Sequence, residues 1–287
     1  YGVHSAMATA LAIKLCPEAI VVPPRFKIYH EISYQIRDIF KKYTDLIEPL
    51  SLDEAYLDVT QNKMNQPSAT VIAREIKKKI VKKTSLTASA GVSYNKFLAK
   101  IASGMNKPDG LTVVLPKDAR DFIKQLPIGK FFGIGKKTEE KMKKLGILKG
   151  QDLIKYKRVE LIDLFGKVGN FYYDIVRGVD LRSVNPNRIR KSVGKEHTFQ
   201  EDIDDIDLMK SYLKNNAKEV SSILKKLSKK GKTVHLKVKY EDFEINTRSL
   251  TLKSPTCEWE MLLEIAVKLL ELTNAGKRKV RLLGIKV

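Results

Sequence analysis

Apolar residues recur at helical spacing through FKIYHEISYQIRDIFKKY, where Ile28, Ile32, Ile36, Ile39 and Phe40 line one face. The stretch SAMATALAIKLCP shows the same period, and the prolines of PEAIVVPP close it. The pattern then changes. LIEPLSLDEAYLDVT reads as two short strands around a turn, and SATVIAREIKKKIVKKT as an amphipathic helix with a lysine-rich outer face. LTASAGVS predicts a small-residue strand, NKFLAKIASGM a helix and GLTVVLP a strand. The order helix, strand, strand, helix, strand, helix, strand predicts a mostly antiparallel α+β layer with helices on one face.

Pro116 opens a region of another kind. Residues 117–178 predict short helices broken by glycines, as in FFGIGKKTEEKMKKLGI and LIDLFGKVGNFYYDIVRG. LRSVNPNRIR, residues 181–190, has no period and predicts an exposed linker. From residue 191 the pattern predicts β-α-β-β-α-β, a ferredoxin-like sheet. Within it TVHLKVKYEDF alternates, with Val234, Leu236, Val238 and Tyr240 on one side and Thr233, His235, Lys237 and Lys239 on the other. Both helices are expected on one face, leaving Lys237, Lys239, Arg248, Lys279 and Arg281 on the open one. The fold class is α+β and multidomain.

Charge sharpens this picture. Lys and Arg number 54 against 33 acids, a formal net charge of +21. Residues 1–114, 115–187 and 188–287 carry excesses of 6, 7 and 8 positive charges, so no single basic tail explains the balance. A chain positive throughout fits a polyanion, most simply nucleic acid. No apolar run is long enough to span a bilayer, so no membrane partner is expected. Tyr1 begins no signal-peptide pattern, and Cys16 and Cys257 match no zinc or disulfide framework, which points to a reducing cytoplasm. The four histidines form no ligand pair.

Three motifs carry chemistry. In FFGIGKKTEEKMKKLGI, Gly133 and Gly135 flank Ile134 before a helix begins, the helix-hairpin-helix form. Its glycines allow a tight turn that exposes backbone N–H groups, and Lys136 and Lys137 add charge for a phosphate. A weaker copy, LFGKVG, spans Leu164–Gly169. In SLDEAYLDVT, Asp53 and Glu54 sit at the predicted turn, where neighbouring carboxylates can face one site. Such a pair repels itself unless a cation intervenes, and Mg²⁺ takes one or two carboxylates plus phosphate oxygens. Acids inside a basic, nucleic-acid-binding chain then read as a metal site for phosphoryl transfer. Glu48 and Asp58 read as structural. In ASGMNKPDGL, Lys107 precedes a Pro-Asp-Gly turn and is a solvated lysine unless the acids lie near it.

SLDEAYLDV, ASAGVSYNKFLAKIASGMNKPDG, GIGKKTEEKMKKLGI and RKSVGKEHTF occur in an order that resembles the Y-family translesion DNA polymerases, above all the bacterial DNA polymerase IV (DinB) type. The resemblance runs over essentially the whole chain. It implies the remainder of a fingers domain at 1–25, an antiparallel-sheet palm at 26–114, a helix-hairpin-helix thumb at 115–180, a linker at 181–190 and a little finger at 191–287. It implies that Asp53 binds two Mg²⁺ ions and Glu54 the one that activates the primer 3′-hydroxyl. Lys107 would hold the incoming dNTP, and Ser5-Ala6-Met7 would lie over the nascent base pair. Primer–template DNA and a dNTP are the implied partners, and a monomer is expected. A sliding clamp is implied for the full-length family protein.

There are departures. The family pattern begins upstream of Tyr1, on a strand with another metal-binding Asp, and continues past Val287 to a clamp-binding tail. Ala8 stands where the family usually has Pro, and Gly104 where it often has Asp. Residues 1–287 alone are therefore expected to be inactive or very weak. Two alternatives are a non-catalytic DNA-binding fragment and a helix-hairpin-helix nuclease or glycosylase. The distance in sequence between the acids and the hairpin argues against the second.

Overall fold

The isoleucine spacing settles the first unit. The computed structural model describes all residues 1–287, which divide into one unit at 1–188 and a second at 189–287. In the first, α1 (Thr9–Leu15) and α2 (Phe26–Phe40) lead into a hairpin of β1 (Ile47–Pro49) and β2 (Ala55–Leu57). Next come α3 (Ala69–Thr84), β3 (Ala90–Val92), α4 (Lys96–Met105) and β4 (Leu111–Val113). Ser68 caps α3, accepting from the Val71 N–H. Ile72, Ile76 and Ile80, one turn apart, bury its inner face against Ile39 and Tyr43 of the α2 region. Among the large apolar residues of 1–34, Tyr1, Leu11, Ile13, Ile20, Val22 and Phe26 are exposed.

The predicted element order holds, but the layer is not mostly antiparallel. β1 pairs antiparallel with β2, whereas β3 pairs parallel with β4, and the two ladders are separate. The reason is the connection. A tight turn forces antiparallel pairing, while α4 carries the chain back to the start of β3 and so returns it parallel.

A series of short helices follows: α5 (Pro116–Gln125), a 3₁₀ turn (Ile128–Lys130), α6 (Lys136–Lys144), α7 (Gly150–Leu153), α8 (Arg158–Phe165) and α9 (Val168–Ile175). Their core is not theirs alone. Phe97, Leu98 and Ile101 of α4 are buried with Ile123, Phe131, Met142, Leu161, Tyr172 and Ile175. Phe97 and Phe131 meet at 5.5 Å between ring centroids. Burying one such ring contributes about 2–3 kcal/mol, so this contact fixes α4 against the short helices.

The second unit is β5 (Gly194–Ile203), α10 (Ile206–Lys226), β6 (Gly231–Tyr240), β7 (Ile245–Thr256), α11 (Trp259–Glu271) and β8 (Val280–Lys286). The sheet order is β5-β8-β6-β7, antiparallel throughout. In a ferredoxin-like sheet the first and third strands are central. Here the second and fourth, β6 and β8, take that place. Val234, Leu236, Val238 and Tyr240 are all fully buried beneath the helices, as their alternation predicts.

Candidate active site

The acidic turn is held from two sides. β1 and β2 pair Glu48 with Tyr56 and Pro49 with Ala55, leaving Leu50–Glu54 as the turn. The Leu50 N–H closes it by donating to the Glu54 carbonyl at 2.9 Å. From α2, the Ser33 hydroxyl donates to the Leu52 carbonyl at 2.5 Å and Arg37 reaches the Ser51 carbonyl at 3.4 Å. From α4, Lys100 donates to Glu54 Oε1 at 2.6 Å and Lys96 to Glu48 at 2.5 Å. Each helix uses residues four apart, the spacing that places two side chains on one face. Neither pair was singled out in the sequence. The signal was the i, i+4 spacing of Ser33/Arg37 and Lys96/Lys100, but the partners lie too far along the chain to be paired by inspection.

Asp53 is exposed, and its Oδ1 accepts from the Ser51 hydroxyl at 2.6 Å. Glu54 is half-buried, and Lys100 also lies 5.7 Å from the centre of the Phe132 ring. Behind them Tyr56 is buried with its hydroxyl lacking any partner. Burial pushes that phenol up to about 12, with Asp180, Glu48 and Glu54 adding to the effect against Arg182.

Asp53 and Glu54 are adjacent oxygen donors at an accessible turn. No group of three His, Cys, Asp or Glu residues gathers in the chain. Two carboxylates suit a cation that takes its other ligands from water and phosphate, as Mg²⁺ does. The residues present therefore fit Mg²⁺, through two protein ligands.

The other predicted positions are dispersed. Ser5 and Ala6 form an exposed turn before α1, with Ala6 at φ 65°. Lys107 is exposed after α4 and pairs with no carboxylate, although Lys77 binds the neighbouring Asp109 at 3.1 Å. Glu48 and Asp58 are structural as read: Asp58 Oδ1 accepts from the Thr60 N–H at 3.0 Å.

The hairpin motif forms as predicted. Ile134 is buried between two exposed glycines. Gly133 has φ 96°, where a side chain would be strained and its Cβ would meet Phe171 at 3.4 Å. Gly135 begins α6 with no side-chain cap, so its first N–H groups and Lys136 and Lys137 face solvent together. The second copy joins α8 to α9, with Gly166 at φ 69°.

On the second unit, Lys237 and Lys239 lie on the open face. Lys237 bonds Glu196 at 2.9 Å. Between them in register lies Gly284, where a Cβ would come within 2.5 Å of the Glu196 Cβ. Lys286, opposite His235, shares this face, which only the strand register reveals. Arg281 is the extra residue of a bulge in β8 and stands 4.7 Å from the Phe243 ring, while Lys279 is exposed just before the strand. The placement of Arg248 is corrected. It pairs with Leu236, a core position, so it projects to the helix side, where its Nε donates to the Leu272 carbonyl at 3.1 Å. A slip of one residue in register reverses every side chain.

Comparison with known proteins agrees with this geometry. Residues 1–104 match the impB/mucB/samB family, 116–147 the IMS family HHH motif and 190–287 the impB/mucB/samB family C-terminal domain. DNA polymerase IV of Clostridium perfringens is 50% identical over 287 residues, covering 100% of this chain and 80% of the relative. DNA polymerase IV of Clostridioides difficile is 49% identical, covering 100% and 79%. Among solved structures, a Y-family DNA polymerase chimera of Dbh and Dpo4 matches with TM-score 0.89 and 32% identity, over 100% of this chain and 83% of the other. An insertion ternary complex of Dbh DNA polymerase matches at 0.64 and 30%, over 99% and 83%. With an acidic turn clamped between two helices, a helix-hairpin-helix region and half its residues shared with such relatives, the chain belongs to the Y-family translesion DNA polymerases, which are DNA-directed DNA polymerases.

Proposed function

We propose that this chain adds dNTPs to a primer 3′ end by two-Mg²⁺ nucleotidyl transfer, and that the Asp53-Glu54 turn is where the metals bind. The observation that carries the reading is the fixing of that turn by Ser33 and Arg37 from α2 and by Lys100 from α4. When bound, the metal ions stabilise the charge that develops on the attacking and leaving oxygens. The protein holds the donors in place. Asp53 stays accessible on the solvent side, and Lys100 offsets the Glu54 charge until a cation does so. Lys107 projects from its turn towards solvent to take an incoming triphosphate, and Ser5 and Ala6 offer a small-residue surface to the new base pair.

The remaining cations hold primer–template DNA. The uncapped start of α6, with Gly133, Gly135, Lys136 and Lys137, receives one phosphate without reading sequence. Lys237, Lys239, Lys279 and Arg281 lie against the backbone. Arg248, on the helix side, plays no part in that face. Residues 1–25, 26–114, 115–180 and 191–287 then correspond to fingers remainder, palm, thumb and little finger, and the protein acts as a monomer.

The test is primer extension with Mg²⁺ and dNTPs opposite undamaged and damaged template bases, in the intact polymerase with and without Asp53→Asn. Extension that survives the substitution undiminished overturns the assignment. As an isolated polypeptide, residues 1–287 supply two carboxylates and no group of three. That observation favours a second reading for the isolated piece, DNA binding with little or no extension. Extension by the isolated piece at the intact polymerase's rate would refute it.

A further inference from the structure

Residues 178–185, which lead from α9 towards the second unit, form a stitched strap. The Gly178 carbonyl accepts from Tyr94 Oη at 3.1 Å and from Asn95 Nδ2 at 2.9 Å. Asp180, with a side chain 2% exposed, accepts from the Phe97 N–H at 3.0 Å at the start of α4. Arg182 grips the same carboxylate through two bonds of 2.7 Å. Lys96 donates to the Ser183 carbonyl at 3.1 Å as well as to Glu48. Glu48 then closes the circuit by accepting from the Asn185 N–H at 2.8 Å. The exposed linker expected at 181–190 is therefore pinned as far as Asn185, and only residues 186–192 run exposed and free of it.

Burial would raise both carboxyls. At Glu48 the Lys96 and Asn185 bonds outweigh it, and at Asp180 the Arg182 and backbone bonds do, so both lie below their ordinary values. Both carboxylates are largely inside the fold, with side chains 16% and 2% exposed. Their partners connect the strap to the catalytic turn by a short route. Asn185 meets Glu48 on β1, Glu48 meets Lys96, and one turn along α4 Lys100 meets Glu54.

We propose that Glu48 and Lys96 are positioning residues for nucleotidyl transfer: they fix the point where the chain leaves the first unit relative to the Asp53-Glu54 turn. Released from Glu48 and Lys96, the free connector would lengthen from residues 186–192 to 181–192, because Asp180 keeps its bond to the Phe97 N–H. Effective concentration across a flexible tether falls roughly as the −3/2 power of its length, so this lengthening lowers that concentration about twofold. Loss of alignment at the reacting atoms costs more, since a displacement of about 1 Å can cost up to ~100-fold in rate. The inference rests on the polymerase reading above.

The experiment uses the intact polymerase with Glu48→Met/Lys96→Met together. Replacing a buried ion pair by apolar groups of similar size leaves stability near neutral or improved, so the variant should fold. Hydrogen exchange at the Asn185 amide is read first, without DNA. It should quicken at least about tenfold as the Glu48 acceptor is lost. Single-turnover incorporation at saturating primer–template and dNTP should then fall about tenfold or more, with DNA affinity weakened about twofold. Asn185→Pro removes the donor N–H, together with the Asn185 Oδ1 that accepts from the Asn187 N–H, but leaves the Glu48–Lys96 pair intact, and it should show the same loss of rate. Slow exchange at Asn185 in the double variant overturns the strap. Fast exchange with an unchanged rate in the double variant, or an unchanged rate in Asn185→Pro, overturns the positioning role. Exchange reports the strap even in a protein that extends no primer, whereas a wild-type protein without extension defeats the polymerase reading instead.

Discussion

The acidic hairpin of the first unit and the open sheet of the second use their basic residues differently. At the hairpin, Lys96 and Lys100 are tied to carboxylates at 2.5 and 2.6 Å, and their side chains are only 10% and 21% exposed. On the open sheet, Lys239 stands 4.3 Å from the Phe243 ring and pairs with no acid, while Lys237 and Arg281 pair with Glu196 and Asp202 at 2.9 and 3.4 Å and remain 36% and 38% exposed. A net charge of +21 therefore says little about any one lysine. Where lysine meets a half-buried acid it holds the turn, and where it pairs with no acid, as Lys239 does on the open sheet, its charge is available to an anion.

Breaking the hairpin should have the largest effect. Asp53→Asn removes a donor that is exposed and carries no fold contact beyond its turn. Several kcal/mol of metal stabilisation correspond to a rate loss of at least about 100-fold, measured by single-turnover extension, while primer–template affinity and melting temperature stay within error. A loss of DNA affinity of the same size would mean that the turn serves binding instead.

The two regions also differ in core. Leu283 is fully buried in the second unit between β6 and the helices. Leu283→Ala should destabilise that unit by about 2–5 kcal/mol in urea unfolding, and leave the transition of the first unit unmoved. A single shared transition would show the units to be coupled in stability.

On the sheet, Lys237→Ala/Lys239→Ala should reduce the slope of log affinity against log salt by about 2, with no change in sequence preference. The contrast with Arg248→Ala sharpens the point, because Arg248 faces the helices and its loss should leave the slope unchanged. The smallest effect belongs to Tyr56→Phe. An unpartnered buried hydroxyl costs about 1–3 kcal/mol, so its removal should be stabilising by up to about that amount in the same unfolding assay.

Acid should separate the two regions as well. Glu48 and Asp180 have folded values depressed below their unfolded ones. The stability they contribute is present at neutral pH and is lost as pH falls through the carboxylate range into the depressed values. Melting of the first unit measured from pH 7 downwards should therefore drop more steeply in the wild type than in Glu48→Met/Lys96→Met.

Much of this was legible in the chain. The isoleucines of α2 and α3 and the alternation in β6 place their own elements because a helix and a strand each impose a fixed period on burial. Asp53-Glu54 could be read because chemistry needs adjacent acids at a turn, and Gly133-Ile134-Gly135 because a tight turn before a helix needs glycine. Those signals are local, and the sequence determined them by itself. The parallel pairing of β3 with β4, the helix-side position of Arg248, the lysine pairs of α4 and the strap through Glu48 and Asn185 are not local. Glu48 and Asn185 stand 137 positions apart, and the meaning of each depends on which strand, face and register the other occupies. Only the packed structure decides that, because an ion pair forms where the core brings two backbones together, not where the residues themselves declare it.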